Sequence, residues 1–258
     1  ILLAATVASG IIVLLDRLFW RKNRLALQST DASLKEPVLV EYARSFFPVL
    51  LFVLLLRSFL IEPFRIPSGS MEPTLNTGDF ILVNKYTYGL RFPVTNQLFW
   101  QNNSPERGDA IVFRFPVEPS VNFIKRVIGV PGDAVVYKDK DLYINGEKMN
   151  KEFIENINFI DSGGRSVSVT EWNEDLISTK HLTYQRSVPG RDISVTVPEG
   201  HYFVMGDNRD DSDDSRSWGF VPEENMVGKA FAIWFSWDSN EDNWLKKVRW
   251  ERVGKKIE

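Results

Sequence analysis

The chain has 258 residues, enough for one large or two modest domains with a sizeable core. Its 43% hydrophobic and 25% charged residues are those of a folded protein, which excludes disordered, collagen-like and polytopic-transporter classes. The absence of cysteine removes disulfide frameworks, Cys-ligated zinc, iron–sulfur clusters and thiol nucleophiles together, and a formal charge of −3 argues against a broad nucleic-acid surface.

Residues 1–15 carry no charge. At 1.5 Å per residue they reach about 22 Å, short of the ~30 Å hydrocarbon core, so they read as a first transmembrane helix that is truncated at its start. A signal-peptide core is the competing reading. Residues 46–61 form a second apolar segment, interrupted only by Arg57 and Ser58, and Arg57 sits where a long side chain can snorkel to the interface. Two spans therefore fit better than a signal peptide. Between them, residues 16–45 hold Arg17, Arg21, Lys22, Arg24, Lys35 and Arg44 against Asp16, Asp31, Glu36 and Glu41, whereas residues 62–80 hold only Arg65 as a basic residue. The positive-inside rule makes 16–45 a cytoplasmic loop and places everything after Ile61 on the outer face. A pair of buried helices in a soluble protein is the plainer alternative.

From residue 62 onward 24 basic residues face 30 acidic ones in a region punctuated by Gly, Pro and Asp. Gly78-Asp79, Gly108-Asp109 and Gly132-Asp133 each precede an apolar run of strand length, at 80–83, 110–113 and 134–137. Residues 121–129 alternate like a strand, Asn145-Gly146 signals a hairpin, and 194–197 closes a more polar stretch, 150–197, that reads as an insert. No long segment here keeps a helical period. The fold class is mainly β: an antiparallel catalytic sheet with a smaller inserted β lobe, preceded by two transmembrane helices, with helices confined to the membrane.

Dinucleotide, P-loop, zincin and α/β-hydrolase signatures are missing from the sequence. His201 reads as a hydrogen-bonded turn residue, and His181 lies in the polar stretch with no evident partner. The acidic run 207–216 fails calcium-loop spacing. Counting from Asp207 puts Arg209 at a ligand position, and counting from Asp211 puts Arg216 where Gly is required and Pro222 where Glu is required. A loop with internal Asp–Arg pairs fits better.

Two other places can carry chemistry. In 64–75, Pro67 and Pro73 stiffen the backbone around Ser68-Gly69-Ser70, a turn able to present a hydroxyl and a free N–H together. In 121–129, strand alternation puts Lys125 on one face with Phe123 and Val127, and Arg126 on the other with Ile124 and Ile128. Apolar burial lowers a lysine pKa toward the range of a general base. Taken singly, the first segment reads at least as well as an ordinary juxtamembrane loop, and a snorkelling edge-strand lysine is the better reading of the second.

Taken together, Ile66-Pro67-Ser68-Gly69-Ser70-Met71 after a membrane span, 123–133 (FIKRVIGVPGD), and Gly206-Asp207-Asn208-Arg209-Asp210 through Ser212, Asp214, Ser215, Arg216, Trp218, Gly219 and Phe220 resemble type I signal peptidase, in its two-span bacterial form. The three motifs stand in the family's order, and the resemblance covers essentially the whole chain, least firmly at 150–197. It implies Ser70 as nucleophile, Lys125 as general base, and the Ser70 N–H with the Ser68 hydroxyl as oxyanion hole. By the same resemblance Ser212 would orient Lys125, while Asp214 with Arg216 and Asp207 with Arg209 would support the loop behind the site. Phe64, Ile66, Met71, Leu75, Phe123 and Ile124 match substrate-subsite positions. The implied activity is a serine endopeptidase that removes signal peptides from exported preproteins after a small-x-small (Ala-x-Ala) motif, through an acyl-enzyme and without cofactor or metal.

Implied partners are preprotein signal peptides at the membrane surface, membrane lipids and a nearby secretion translocon, with no nucleic acid. The implied location is the bacterial inner membrane, multi-pass, with the catalytic domain periplasmic. The implied layout is 1–15 and 46–61 as spans, 16–45 as cytoplasmic loop, 62–133 with 199–258 as catalytic core and 134–198 as inserted lobe, with a β-ribbon near 87–102. Leu98, Phe99, Trp100, Trp234, Trp237, Trp244 and Trp250 would meet the interface, core packing being the equal or better reading of Trp234 and Trp237. The lack of cysteine departs from two-span relatives that carry a disulfide. Two rivals share parts of the pattern: a self-cleaving Ser-Lys repressor, which needs a DNA-binding module, and a non-catalytic membrane-anchored β module that binds exported chains.

Overall fold

The computed structural model describes all residues except 23, 25–35, 93, 94, 96, 161–165, 178, 240 and 258, so the middle of the expected cytoplasmic loop lies outside the described residues. The chain divides into two units, Ile1–Leu60 and Ile61–Glu258.

Among its described residues the first unit shows two long helices. α1 (Leu2–Leu15) runs on through a π-type turn to Trp20, and α2 (Val38–Leu55) runs on in the same way to Leu60. At 19 and 23 residues they span about 28 and 34 Å, enough to cross a bilayer. Both outrun the apolar runs that predict them. Asp16 does not stop α1, because Arg24 forks onto its carboxylate and Arg44 Nη2 lies 3.1 Å from it. Leu14, Phe19, Val49, Phe52 and many other apolar side chains of the pair are exposed, which is wrong for core helices of a soluble protein and right for helices solvated by lipid.

Among the described residues the second unit has sixteen strands. β1 (Ile61–Arg65) and β2 (Asp79–Asn84) flank the turn that carries Ser70; a short ribbon, β3 (Leu90–Arg91) and β4 (Leu98–Trp100), follows. β5 (Ala110–Arg114) and β6 (Asn122–Gly129) come next, then β7 (Ala134–Lys138), β8 (Asp141–Ile144) and β9 (Glu147–Lys148). A long hairpin, β10 (Lys151–Ile160) and β11 (Ser166–Asp175), precedes β12 (Lys180–Gln185) and β13 (Ile193–Thr196). β14 (His201–Met205), β15 (Val221–Pro222) and β16 (Met226–Ser236) return to the main sheet. That sheet has the order β1-β2-β16-β5-β6-β14-β15 with antiparallel pairing throughout, and the stretch 134–196 supplies the sheets β13-β7-β8-β9 and β10-β11-β12. Ile81, Val83, Val112, Ala230 and Ile233 form the core on one side of the sheet, and Ile111, Phe113, Val127, Val204 and Val221 form another.

The three Gly-Asp pairs build one recurring turn. In 76–79, 106–109 and 130–133 the first carbonyl accepts from the Asp N–H, and the glycine takes φ of 90°, 92° and 88°, as position three of a type II turn requires. Each Asp carboxylate also accepts from the first residue's N–H, at 2.8, 3.0 and 2.9 Å. At Asn145-Gly146, φ of 53° and 82° make the expected type I′ hairpin. Three short helical turns among the described residues lie outside the membrane helices, against expectation: α3 (Ser215–Trp218), which the Asp214 carboxylate caps by accepting from Arg216 N–H, and 3-10 turns at Glu223–Asn225 and Trp250–Arg252.

Candidate active site

The turn after β1 is anchored at its base. Ile66 N–H donates to Asp79 O at 2.8 Å and Gly78 N–H to Ile66 O at 2.9 Å, while Met71 and Leu75 are wholly buried in the core beneath. Ser68 is thereby held exposed and Ser70 half-buried on the rim. This corrects the expectation for Met71 and Leu75: their side chains fill the core under the turn and do not line the cleft above it.

β6 lies between β5 and β14 and carries Lys125 to that rim. Lys125 is 4% exposed, with Nζ 2.5 Å from Ser70 Oγ and 5.6 Å from the Phe123 ring centre. Burial pushes its pKa down to about 8, against the pull of Asp214, Asp207 and Asp213. On the opposite face Arg126, also buried, donates from Nε and Nη2 to the two Asp207 oxygens at 2.8 Å each and from Nη1 to Gly108 O at 2.6 Å. Strand alternation thus sends adjacent cations to different tasks, one toward a hydroxyl and one into an ion pair.

The loop after β14 closes the site from behind. Asp214 accepts from Arg216 Nε and Nη2 at 2.8 and 2.7 Å, and from Gly206 N–H at 3.0 Å. Although burial alone would raise the Asp214 pKa, the Arg216 bonds hold it below the usual carboxylate range. The Asp207–Arg209 pair is a different matter. Asp207 is taken by Arg126, and Arg209 turns toward the insert, where its Nη1 donates to Glu174 Oε1 at 2.7 Å. Ser212 Oγ is buried beside the Asp214 carboxylate, whose pKa it helps to lower, and does not bond Lys125 here. It packs instead on Gly206, where an added Cβ would stand 2.2 Å from Ser212 Oγ and 2.4 Å from Ser70 O.

A cleft of about 410 Å³ opens at Ser70 and Lys125. Phe64, Ile66, Phe123 and Ile124 line it, with Ile81 and Val112. A small apolar groove headed by a hydroxyl and a desolvated amine suits hydrolysis of a peptide with small side chains.

The signal peptidase, peptidase S26, family matches residues 39–237. The chain belongs to this family. A Signal peptidase I from Pseudomonas aeruginosa is 47% identical over 264 residues, covering 92% of this chain and 91% of its own. Another from Pseudomonas fluorescens is 46% identical over 267 residues with the same coverage of 92% and 91%. A crystal structure of a signal peptidase I from Enterococcus faecalis V583, 32% identical, covers 50% of this chain and 98% of its own at a TM-score of 0.34. The protein is a serine endopeptidase, and its two apolar helices make it a membrane-associated one.

The peptidase draws further residues to the cleft. Phe159 of β10 lines it and packs on Tyr184 with ring centres 5.8 Å apart, and Asn208 lines it from the loop after β14. Phe159 carries no sequence signal as a site residue, and Asn208, although it stands inside the third motif, has no implied role there. His181 does have partners: it is buried with Nε2 3.6 Å from Glu174, 3.7 Å from Asp207 and 3.3 Å from Arg209 Nη2. Burial and the Arg126 charge push its pKa down to about 3. His201 Nδ1 bonds Glu199 O at 2.9 Å, a turn histidine as read. Among the described residues no group of acidic or histidine side chains is arranged to hold a metal ion. Trp234 and Trp237 are 46% and 36% exposed while packing on Phe80 and Phe235, so they sit on the surface and not in the core.

Proposed function

We propose that this peptidase removes signal peptides from exported preproteins, cutting after a small-x-small motif with a Ser70–Lys125 dyad. Neutral Lys125 takes the Ser70 proton as Oγ attacks the scissile carbonyl carbon; the negative charge that develops on oxygen is met by the Ser70 N–H and the Ser68 hydroxyl. Collapse breaks the C–N bond, and Lys125 returns the proton to the leaving amine. Water activated by the same lysine then hydrolyses the acyl-enzyme. The observation that carries this reading is the buried Lys125 Nζ 2.5 Å from Ser70 Oγ at the head of an apolar cleft. The walls at Ile66, Ile81, Val112 and Ile124 favour small residues at the first and third positions before the cut.

The proposed place of work is the bacterial inner membrane with the catalytic unit on the periplasmic side, next to lipid headgroups and the secretion translocon. The excess of basic residues in 16–45 supports this orientation. Exposed Trp100, Trp244 and Trp250 support contact with the lipid interface. The test is cleavage of a preprotein with an Ala-x-Ala site by detergent-solubilised protein, with products identified by mass. Cutting after the second Ala, abolished when that Ala is replaced by Leu and absent in Ser70→Ala, is the expected result. Cutting that tolerates Leu at both small positions would overturn the specificity.

A further inference from the structure

One residue outside the proposed dyad grips the catalytic turn directly. Asn208 Nδ2 donates to Gly69 O at 3.1 Å, and the Asn208 backbone N–H donates to Ser70 O at 3.2 Å. Asn208 is 4% exposed, and because only its NH2 end can donate to a carbonyl, the orientation of its amide is settled by that contact.

The Gly69 carbonyl and the Ser70 N–H belong to a single planar peptide and point in opposite directions. A bond that fixes the oxygen therefore fixes the direction of the N–H. Gly69 has no Cβ to restrict its own dihedrals, so this plane needs an external hold. Glu72 N–H, donating to Gly69 O at 3.1 Å, is local to the turn; Asn208 is the grip that comes from outside it. The Ser70 N–H itself donates to no backbone carbonyl among the described residues.

Asn208 is in turn immobilised from the insert. Tyr184 of β12 brackets it, donating its N–H to Asp207 O at 2.9 Å and accepting from Arg209 N–H at 2.9 Å. The Asp207 and Arg209 side chains on either side are buried in ion pairs with Arg126 and Glu174.

We propose that Asn208 is a positioning residue that locks the Gly69–Ser70 peptide so that the Ser70 N–H aims at the developing oxyanion. This rests on the reading of Ser70 as nucleophile. The grip matters when charge develops, so its loss lowers kcat and leaves KM nearly unchanged.

The experiment compares wild type, Asn208→Ala, Asn208→Asp, Ser70→Ala and Lys125→Ala on one preprotein, with kcat and KM measured across pH and folding checked by thermal unfolding. Asn208→Ala is expected to lose roughly 10- to 100-fold in kcat, less than deletion of an oxyanion donor itself, with KM within about twofold. Asn208→Asp sets a carboxylate against the Gly69 carbonyl and is slower still at high pH. Once protonated it can donate again, so its rate relative to wild type should rise as pH falls. That rise is a signature a merely structural side chain lacks, and it decides the matter even if the alanine variant folds poorly. A kcat of Asn208→Ala within twofold of wild type, or an Asn208→Asp ratio that is flat with pH, overturns the proposal. Activity remaining in Ser70→Ala or Lys125→Ala would instead overturn the dyad, a separate failure.

Discussion

Lys125 sits where burial and neighbouring carboxylates oppose each other, and burial wins. Its folded pKa, about 8, lies below the ordinary 10.5, so the unfolded chain binds more protons between those values. The cost of burying the amine is therefore fully present below about pH 8 and fades as pH rises toward 10.5. Lys125→Met should abolish activity yet raise stability by up to roughly 3 kcal/mol, the gain shrinking above pH 8. Thermal unfolding of the two proteins at pH 7 and pH 10 reads it; equal unfolding at both would mean that the lysine is not desolvated. At Gly206 the constraint is steric, since an added Cβ would strike Ser70 O. Gly206→Ala should displace the nucleophile and cost about 100-fold in turnover, measured on the same preprotein. Lys125 was legible in the sequence through the order of the motifs, its own following the serine turn, since its apolar strand neighbours alone favour a snorkelling edge lysine. The partner of Asp207 was not: the nearby Arg209 was the obvious choice, yet the observed partner, Arg126, lies 81 positions away. Ion pairs across a fold leave no local trace, and the bond of Asn208 to Gly69, 139 positions away, was hidden for the same reason.

Among the elements, the strands introduced by Gly-Asp were readable because their turn chemistry is local. The carboxylate, the glycine and the N–H it serves all lie within four residues. The turn at Asp139-Lys140 gave no such signal, although both residues take positive φ, 49° and 66°, because it lacks glycine. The hairpin β10–β11 and strand β12 were hidden by polarity. Their inner face buries Glu174, His181, Thr183 and Gln185, so alternation of apolar with polar fails as a guide to burial. The same feature makes these strands a brace for the loop after β14. Glu174→Gln would leave the buried Arg209 guanidinium without its carboxylate and should cost about 3–5 kcal/mol, seen as a lower unfolding midpoint. A change below 1 kcal/mol would mean that the brace carries no weight.

For the molecule as a whole, stability in acid should turn on His181. It is enclosed by Glu174, Asp207, Arg126 and Arg209, and its folded pKa, about 3, lies below the ordinary 6.5. Between those values the unfolded chain binds the extra proton, so stability falls with falling pH by up to about 1.4 kcal/mol per pH unit. His181→Gln should flatten the part of this slope between pH 6.5 and 5, where carboxylates titrate little; an unchanged slope would mean that the histidine is charged in the fold. The two-helix, mainly β architecture was visible in the sequence as a division of charge, apolar runs first and turn-rich polar sequence after. The same division supports the proposed orientation in the membrane. Protease added to spheroplasts should digest the Ile61–Glu258 unit, and protection of that unit would reverse the assignment.

The most direct test of the account is the pH dependence of single-turnover preprotein cleavage by wild type, Ser70→Ala and Lys125→Ala. With Lys125 as the base for Ser70, the rate should climb tenfold per pH unit below about 8, level off above it, and vanish in both variants at every pH. A limb that persists in Lys125→Ala, or turnover by Ser70→Ala, would contradict it.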